Sequence, residues 1–419
     1  MGVLTPRTRT SGTRALQRAV GVLTITGMCL VTTPPAFADS GYDNPEFHLD
    51  SSSECEFGGN NIASTPWSLQ RIILDQLREK ATGKDVTVAV IDTGVDNSNK
   101  QLAGQMAPGG KDFVGSTDGT TDLEGHGTKV AGIIAAKPWP GTGFSGIAPG
   151  AKIMPLRYTG SGNKEKPGNS DTMVAAINHA VDQGADIINI SSDTEDNKDP
   201  ERLRAAIKNA VDAGKLVIAA SGNDGAKTKP QKTYPASYDG VVAVAASDRN
   251  DERAFFSQWG DFVDIAAPGV GMVSTVPKGG QCSDDGTSFA APYVAGVAAL
   301  MMDRYPNWTA KQIIARMQET AERPTAKPDE YVGWGVVDPL AALSDSTEPG
   351  ETPKLAAPQQ AGASQVTPME VTMGETDAER DRRIAIYVLG AGLLLVFVAG
   401  GSGIAVRDWR RKKSSSGLQ

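Results

Sequence analysis

Short apolar runs alternate with helix-like stretches through the middle of the chain, and this alternation restricts the possible folds more than any other feature. The runs are four to six residues long and almost free of charge. Such runs are typical of strands buried on both faces, as in a parallel sheet. They are Val86 to Ile91, Lys152 to Leu156, Ile187 to Ile190, Leu216 to Ala220 and Val241 to Ala245.

Helical patterns separate or follow these runs, at Thr172 to Gln183, Pro200 to Ala213 and Phe289 to Tyr305. Buried strands that alternate with helices predict an α/β fold of three layers, with a mostly parallel central sheet. A further helix is predicted after Thr309, because Thr309 and Gln312 form a capping box.

Residues 1–38 have the organisation of an export signal. Four arginines and no acidic residue accompany an apolar run and a small-x-small cleavage site at Ala36-Phe37-Ala38. Cys29 lies inside the apolar run and would be removed with it. We therefore predict a signal peptide over 1–38 and an N-terminal extension over 39–64.

A second apolar run, residues 384–406, contains 23 residues without a charge. About 20 such residues cross a bilayer core. The alternative is a buried helix of a soluble domain, but the charged flanks favour a transmembrane helix. The tail, 407–419, carries five Lys or Arg and one Asp, which places it in the cytoplasm by the positive-inside rule. We therefore expect a single-pass protein of the cell membrane with its folded domain outside the cytoplasm.

The remaining chain divides by composition into a folded domain, 65–345, and a tether, 346–383. The tether contains four prolines and hardly an aromatic residue, so we expect it to be unfolded. A flexible coil of this length has ends roughly 30–35 Å apart. The folded domain would therefore work close to the outer face of the membrane.

The charge of the chain argues against nucleic acid as a partner. The formal net charge is −8, and removal of the four arginines of the export signal would make it −12. Nucleic-acid binding requires a basic face. We expect no nucleic-acid partner, no metal and no other cofactor.

Three residues have the types and settings needed for nucleophilic catalysis. Asp92 directly follows the first apolar run, His126 lies between glycines at the start of an apolar helix, and Ser288 lies at the start of another. A serine hydroxyl needs an imidazole to take its proton, and the imidazole needs a carboxylate to orient it. Each residue taken singly also fits an ordinary structural role, a turn cap in the case of Asp92.

Two groups could stabilise an oxyanion. The backbone N–H of Ser288 would lie at the positive end of a helix dipole. Asn223 follows the strand Leu216 to Ala220 within "IAASGNDG" and could donate from its side-chain amide. The alternative for Asn223 is an ordinary turn residue.

Four blocks of sequence resemble the signature blocks of the subtilisin-like serine peptidases in order and spacing. They are "VAVIDTGVD", "GHGTKVAGIIAA", "AASGNDG" and "GTSFAAPYVAGVAAL", within a match from roughly Trp67 to Leu343. The chain order Asp, His, Ser is also that of this family. The resemblance implies a subtilisin-like fold, the catalytic roles for Asp92, His126 and Ser288, and the oxyanion role for Asn223.

Within that family the chain resembles the mycosins, the membrane-anchored peptidases of actinobacterial type VII (ESX) secretion systems. The layout of signal, catalytic domain, tether, spanning helix and short basic tail is similar, and Phe289 stands where many subtilisins carry methionine. Two features depart from the subtilisins. The extension is too short for a folding-assisting propeptide, and "INISSDTED" lacks the usual Ser-Leu-Gly.

The resemblance implies a serine endopeptidase that cleaves exported protein or peptide substrates and associates with the membrane components of a type VII secretion system. One alternative is a mainly structural subunit that stabilises the secretion complex. Another is a maturation peptidase for secreted peptides. An intact triad favours an active enzyme.

Cys55 and Cys282 are the two cysteines that remain after removal of the signal. In an oxidising compartment their pairing is the default expectation. The bond would hold the polar extension beside the loop that leads to Ser288, where it would form one wall of a substrate cleft. Two unpaired thiols, or a bond to another chain, are the alternatives.

Overall fold

The structure is a computed structural model that describes residues 55–160, 168–193, 199–226, 229–323, 325, 327–355 and 377–415. The predicted signal peptide, the first part of the extension over 39–54, and the last four residues of the predicted tail lie outside the described residues.

A seven-stranded parallel sheet forms the centre of the folded domain, with strand order β2-β3-β1-β4-β5-β6-β7. All neighbouring pairs run parallel, which confirms the predicted type of sheet. The strands are β1 (Thr87–Asp92), β2 (Lys111–Asp112), β3 (Lys152–Arg157), β4 (Ile187–Ile190), β5 (Leu216–Ala220), β6 (Val241–Ser247) and β7 (Ile265–Pro268).

The five apolar runs in the sequence are β1, β3, β4, β5 and β6, and their ends differ from the prediction by at most two residues. Strands β2 and β7 were not predicted, because they are short and carry little pattern of their own. Two more strands, β8 (Met272–Thr275) and β9 (Gln281–Asp284), form a separate antiparallel hairpin.

Helices cover both faces of the sheet, as the three-layer prediction requires. On one face lie α3 (His126–Ala135) and α6 (Thr287–Arg304), and on the other lie α4 (Ser170–Asp182) and α5 (Glu201–Asp212). Helix α6 is buried from Thr287 to Met301. Its five alanines and Gly296 let it pack closely against both α3 and the sheet.

The other described helices are shorter or lie outside the layers. They are α1 (Trp67–Gln70), α2 (Leu74–Lys80), α7 (Ala310–Thr320), α8 (Pro339–Ala342) and α9 (Asp377–Ser415). Helix α7 begins with the predicted capping box between Thr309 and Gln312. Helix α4 begins with a second box, between Asn169 and Thr172.

Residues 346–355, the first part of the predicted tether, are bound along α7. Gln312 Nε2 donates to Glu348 Oε1 at 2.8 Å, and Lys354 N donates to Glu319 Oε1 at 3.0 Å. Hydrogen bonds from Thr347 and the Arg316 guanidinium lower the pKa of Asp345 to about 2. This part of the predicted tether is therefore bound to the folded domain and is not an unfolded coil. The prediction missed this because composition does not reveal which polar groups of α7 bind the segment.

Helix α9 contains the apolar run 384–406 and extends beyond it at both ends, into the predicted tether and the predicted tail. Its part from Arg380 to Arg407 has 28 residues and a mean hydropathy of 2.3 in its apolar window. At 1.5 Å per residue this part is about 42 Å long. It is long and apolar enough to cross a membrane.

Candidate active site

Asp92 and His126 are in direct contact at the carboxyl end of β1. Asp92 is the last residue of β1 and His126 is the first residue of α3. His126 Nδ1 lies 2.7 Å from Asp92 Oδ1, which also accepts the backbone N–H of Thr93 at 2.8 Å. The Asp92 side chain is 3% exposed and that of His126 is 33% exposed. The carboxylate is therefore enclosed, whereas one side of the imidazole remains accessible.

Glycines allow this contact to form. A Cβ atom at Gly127 would lie 2.0 Å from the carbonyl oxygen of Gly94 and 3.0 Å from Asp92 Cβ. Gly125, at the N-cap of α3, has φ of +82°, a conformation that favours glycine. Side chains at these positions would push α3 away from β1 and separate His126 from Asp92.

Asp122 anchors the start of α3 and was not among the predicted site residues. Its Oδ2 accepts the N–H and hydroxyl of Thr128 at 2.9 and 2.6 Å, and its Oδ1 accepts the N–H of Gly125 at 2.8 Å. Oδ1 also accepts the hydroxyl of Thr93 at 2.9 Å, and that hydroxyl accepts the N–H of Gly127. Asp122 thus ties α3 to the residue after Asp92. An Asp shortly before an apolar helix was the available signal.

The pKa of His126 is raised above its ordinary value. Burial acts to lower it, but the charge of Asp92 and the hydrogen bond to Asp92 outweigh burial. This is the electrostatic setting of an imidazole that accepts a proton during catalysis and is stabilised as a cation.

Ser288 is the second residue of α6 and is buried. The ring of the next residue, Phe289, has its centroid 5.3 Å from that of His126, so Ser288 and His126 lie at the same edge of the sheet. Among the described residues no hydrogen bond joins Ser288 to His126. Such bonds are often long in the absence of substrate and tighten when it binds.

Asn223 follows β5 and is held at the start of α6. Its Oδ1 accepts the backbone N–H of Thr287 at 2.9 Å and the hydroxyl of Thr287 at 3.0 Å. The oxygen is thereby engaged, so the amide nitrogen is the group that Asn223 offers to another molecule. Its partner Thr287 was not identified from the sequence.

A side-chain hydrogen bond connects the two strands that flank β1. Tyr158 follows β3 and Ser192 follows β4, and Tyr158 Oη lies 2.6 Å from Ser192 Oγ. Since β1 runs between β3 and β4, this bond passes beside the end of β1, where Asp92 lies. Burial raises the pKa of Tyr158, and the carboxylate of Asp92 adds to that rise.

A disulfide links Cys55 to Cys282, with 5.7 Å between the Cα atoms. Next to it, Gly58 N donates to the carbonyl oxygens of Pro277 and Gly279 at 3.0 and 2.9 Å. A Cβ atom at Gly125 would lie 2.6 Å from Phe57 Cζ. The described end of the extension therefore lies against the residue that precedes His126.

The arrangement offers the parts needed for acyl transfer by a serine. It contains a carboxylate bound to an imidazole, a hydroxyl at a helix N-terminus and an amide nitrogen at the same helix end. Among the residues that the structure describes, no group of three or more His, Cys, Asp and Glu could hold a metal ion.

Sequence comparison relates this chain to a known family. Residues 83–335 match the model of the subtilase family, peptidase S8. Mycosin-1 of Mycolicibacterium smegmatis is 32% identical in an alignment that covers 95% of this chain and 100% of that protein.

Two solved structures are similar as well. One is described as the MycP3 protease from the type VII (ESX-3) secretion system, with a TM-score of 0.62, 32% identity and coverage of 69% of this chain and 90% of that chain. The other is the periplasmic assembly from the ESX-5 inner membrane complex, with a TM-score of 0.62, 32% identity and coverage of 72% and 88%.

Proposed function

Because the chain belongs to the subtilase family of serine peptidases, we propose that Asp92, His126 and Ser288 are its catalytic triad and that Asn223 binds the oxyanion. The observation that carries this proposal is the 2.7 Å contact between Asp92 and His126 Nδ1. That contact leaves Nε2 of the same ring as the atom that can accept a proton.

The chemistry follows from these positions. Ser288 Oγ attacks the carbonyl carbon of the scissile peptide bond while His126 Nε2 takes the hydroxyl proton. The negative charge that develops on the carbonyl oxygen is stabilised by the amide of Asn223 and by the backbone N–H of Ser288. His126 then gives its proton to the leaving amine, and a water molecule hydrolyses the acyl-enzyme by the same route.

We propose that the enzyme is anchored in the membrane by α9 and cleaves exported proteins outside the cytoplasm. The length and hydropathy of α9 support the anchor. The similarity to Mycosin-1 and to proteins of the ESX-3 and ESX-5 systems supports an association with type VII secretion. The proposed domain boundaries are those expected from the sequence, with the 346–355 segment bound to the peptidase domain.

The extension is proposed to form one wall of the substrate cleft. The Cys55 to Cys282 bond joins it to β9, which leads to Ser288. Phe57 lies against Gly125, next to His126. A substrate that approaches His126 would meet this segment, which would narrow the range of peptides that enter.

A structural role in the secretion complex is the second candidate. The similarity to a chain of the ESX-5 periplasmic assembly favours it. The two roles are compatible, since the proposed triad occupies one edge of the sheet and leaves other surfaces for partners. A maturation peptidase would share the chemistry but would not associate with secretion components.

The decisive experiment is labelling of the detergent-solubilised full chain with a fluorescent fluorophosphonate. We expect Ser288→Ala to abolish labelling and His126→Ala to slow it by about 10⁶-fold, because nucleophile and base act as a unit. Ser283→Ala, which removes an exposed serine of β9, is the matched control and should label normally. Labelling that persists in Ser288→Ala would show that the assignment is wrong.

Co-purification separates the two roles. The wild-type chain and Ser288→Ala should both retain the membrane components of the secretion system if the structural role exists. Absence of these components from both preparations would favour the maturation peptidase.

A further inference from the structure

Lys129 connects the helix of His126 to the strand that leads to Ser288. It lies one helical turn after His126 in α3, and residues three apart lie on neighbouring positions of a helix surface. Its side chain is only 9% exposed, and Lys129 Nζ lies 2.8 Å from Asp284 Oδ2. Asp284 is the last residue of β9 and precedes Ser288 by four positions. This ion pair therefore spans the two segments that carry the proposed base and nucleophile.

The ring of Phe289 is close to both Lys129 and His126. Lys129 Nζ is 6.0 Å from the centroid of the Phe289 ring, and that centroid is 5.3 Å from the centroid of the His126 ring. A cation at this distance is attracted to an aromatic face. Displacement of Lys129 would consequently remove one of the contacts that hold the Phe289 ring next to the imidazole.

Hydrogen bonds hold the backbone around Lys129 in place. The carbonyl oxygen of Lys129 accepts the hydroxyl of Ser274 at 2.6 Å, and that of Thr128 accepts the hydroxyl of Thr275 at 2.9 Å. Both donors belong to β8. A buried amine requires a charged or polar partner, and Asp284 of the neighbouring β9 provides it. The backbone of Lys129 is thus held by β8 and its amine by Asp284.

Three charged groups act on the pKa of the His126 imidazole. Asp92 of β1 and Asp122 of the loop before α3 are negative, and Lys129 of α3 is positive. Glu124 lies in the same loop as Asp122. Burial lowers the pKa of His126, Asp92 and Asp122 raise it, and Lys129 lowers it. Asp284, with 45% of its side chain exposed, faces Lys129 from β9 and offsets part of its charge.

We propose that Lys129 and Asp284 are positioning residues for the catalytic base. Their ion pair supports Phe289 against His126, and the positive charge of Lys129 opposes that of a protonated imidazole. The base therefore works at a lower pH than it would under the influence of Asp92 and Asp122 alone. This inference rests on the proposed function, because it requires His126 to be the base that activates Ser288.

The test is the rate of fluorophosphonate labelling of the detergent-solubilised full chain, measured from pH 5 to pH 9. Lys129→Met keeps an unbranched side chain, one heavy atom shorter, and removes its charge. We expect the acidic limb of its pH profile to move to higher pH, because the positive charge that opposes a protonated His126 is gone. Labelling at pH 6 should be about three- to tenfold slower than in the wild type, the effect of one nearby charge that Asp284 partly offsets. At pH 9 the difference should be small, because the imidazole is then neutral in both proteins.

Two further variants decide whether charge or packing is responsible. Asp284→Asn leaves Lys129 without its counter-charge, so its acidic limb should move to lower pH. Lys129→Arg keeps the charge, so its labelling rate should depend on pH almost as in the wild type. These opposite shifts are not expected from a merely structural role, which would slow labelling by the same factor at every pH.

The inference is overturned if Lys129→Met has the wild-type profile or is slowed equally at all pH values. If Lys129→Met does not fold, Asp284→Asn decides, and an unchanged or upward shift there overturns the inference. Failure of the proposed function can be distinguished from failure of this inference, because Ser288→Ala would then still be labelled.

Discussion

The side-chain oxygen of Asn223 accepts two hydrogen bonds from Thr287, at 2.9 Å from the backbone N and 3.0 Å from Oγ1. Asn223 follows β5, whereas Thr287 begins α6 and precedes Ser288. The pair therefore fixes the amide at the end of the helix that carries the proposed nucleophile. It also determines which atom of the amide is available, because the oxygen is occupied.

Asn223→Ala should lower kcat by about 10²–10³-fold, because one preorganised donor to the oxyanion is lost. KM should change little, since the donor acts on the charge that develops in the transition state. Steady-state cleavage of a peptide substrate checks this. Thr287→Ser keeps the hydroxyl and is the matched control, which should retain most of the activity. A higher KM with an unchanged kcat would contradict the oxyanion role.

Asp92→Asn should reduce turnover by about 10⁴-fold, because the imidazole loses the group that orients it and stabilises its cation. The acidic limb of the residual activity should also move to lower pH. The reason is that Asp92 raises the pKa of His126, so that without it burial lowers the pKa and the base is neutral at lower pH.

The measurement is residual labelling or cleavage against pH, with Asp85→Asn as the control. Asp85 is exposed and has φ of +64°, which Asn tolerates. The control should leave the profile unchanged. An acidic limb of Asp92→Asn that moves to higher pH would contradict the assignment of Asp92.

The disulfide should be detectable as a link between the Cys55 and Cys282 peptides in a tryptic digest without reduction. Substitution of both cysteines by serine should lower the free energy of unfolding by up to about 5 kcal/mol. The reason is that the disulfide closes a long loop, with a sequence separation of 227 residues. Thermal unfolding measures the loss. Complete alkylation of both cysteines without reduction would rule out the bond.

The topology can be tested with protease added to intact cells stripped of their outer layers. One crossing by α9 with the peptidase domain outside predicts that the domain is digested and that an epitope after Val406 survives. Permeabilised cells, in which the epitope should also be lost, are the control. Protection of the whole peptidase domain in intact cells would contradict this orientation.

The fold class and the family could be predicted from sequence because both depend on local patterns. Short, almost wholly apolar runs such as "VTVAVI" have few stable alternatives to a strand buried on both faces. Asp92 could be placed at the end of β1, and His126 and Ser288 at helix starts, because each belongs to a contiguous block. The apolar helix after residue 383 was likewise evident from its length and lack of charge.

Contacts between distant segments depended on the tertiary structure. The sequence contains no signal that Lys129 meets Asp284, that Thr287 holds Asn223, or that residues 346–355 bind α7. Lys129 meets Asp284 because α3 packs against the β8–β9 hairpin, and Thr287 meets Asn223 because α6 packs against β5. The order of strands and the packing of helices depend on the total burial of the chain, so they determine which polar groups meet, whereas local sequence determines only which groups are available.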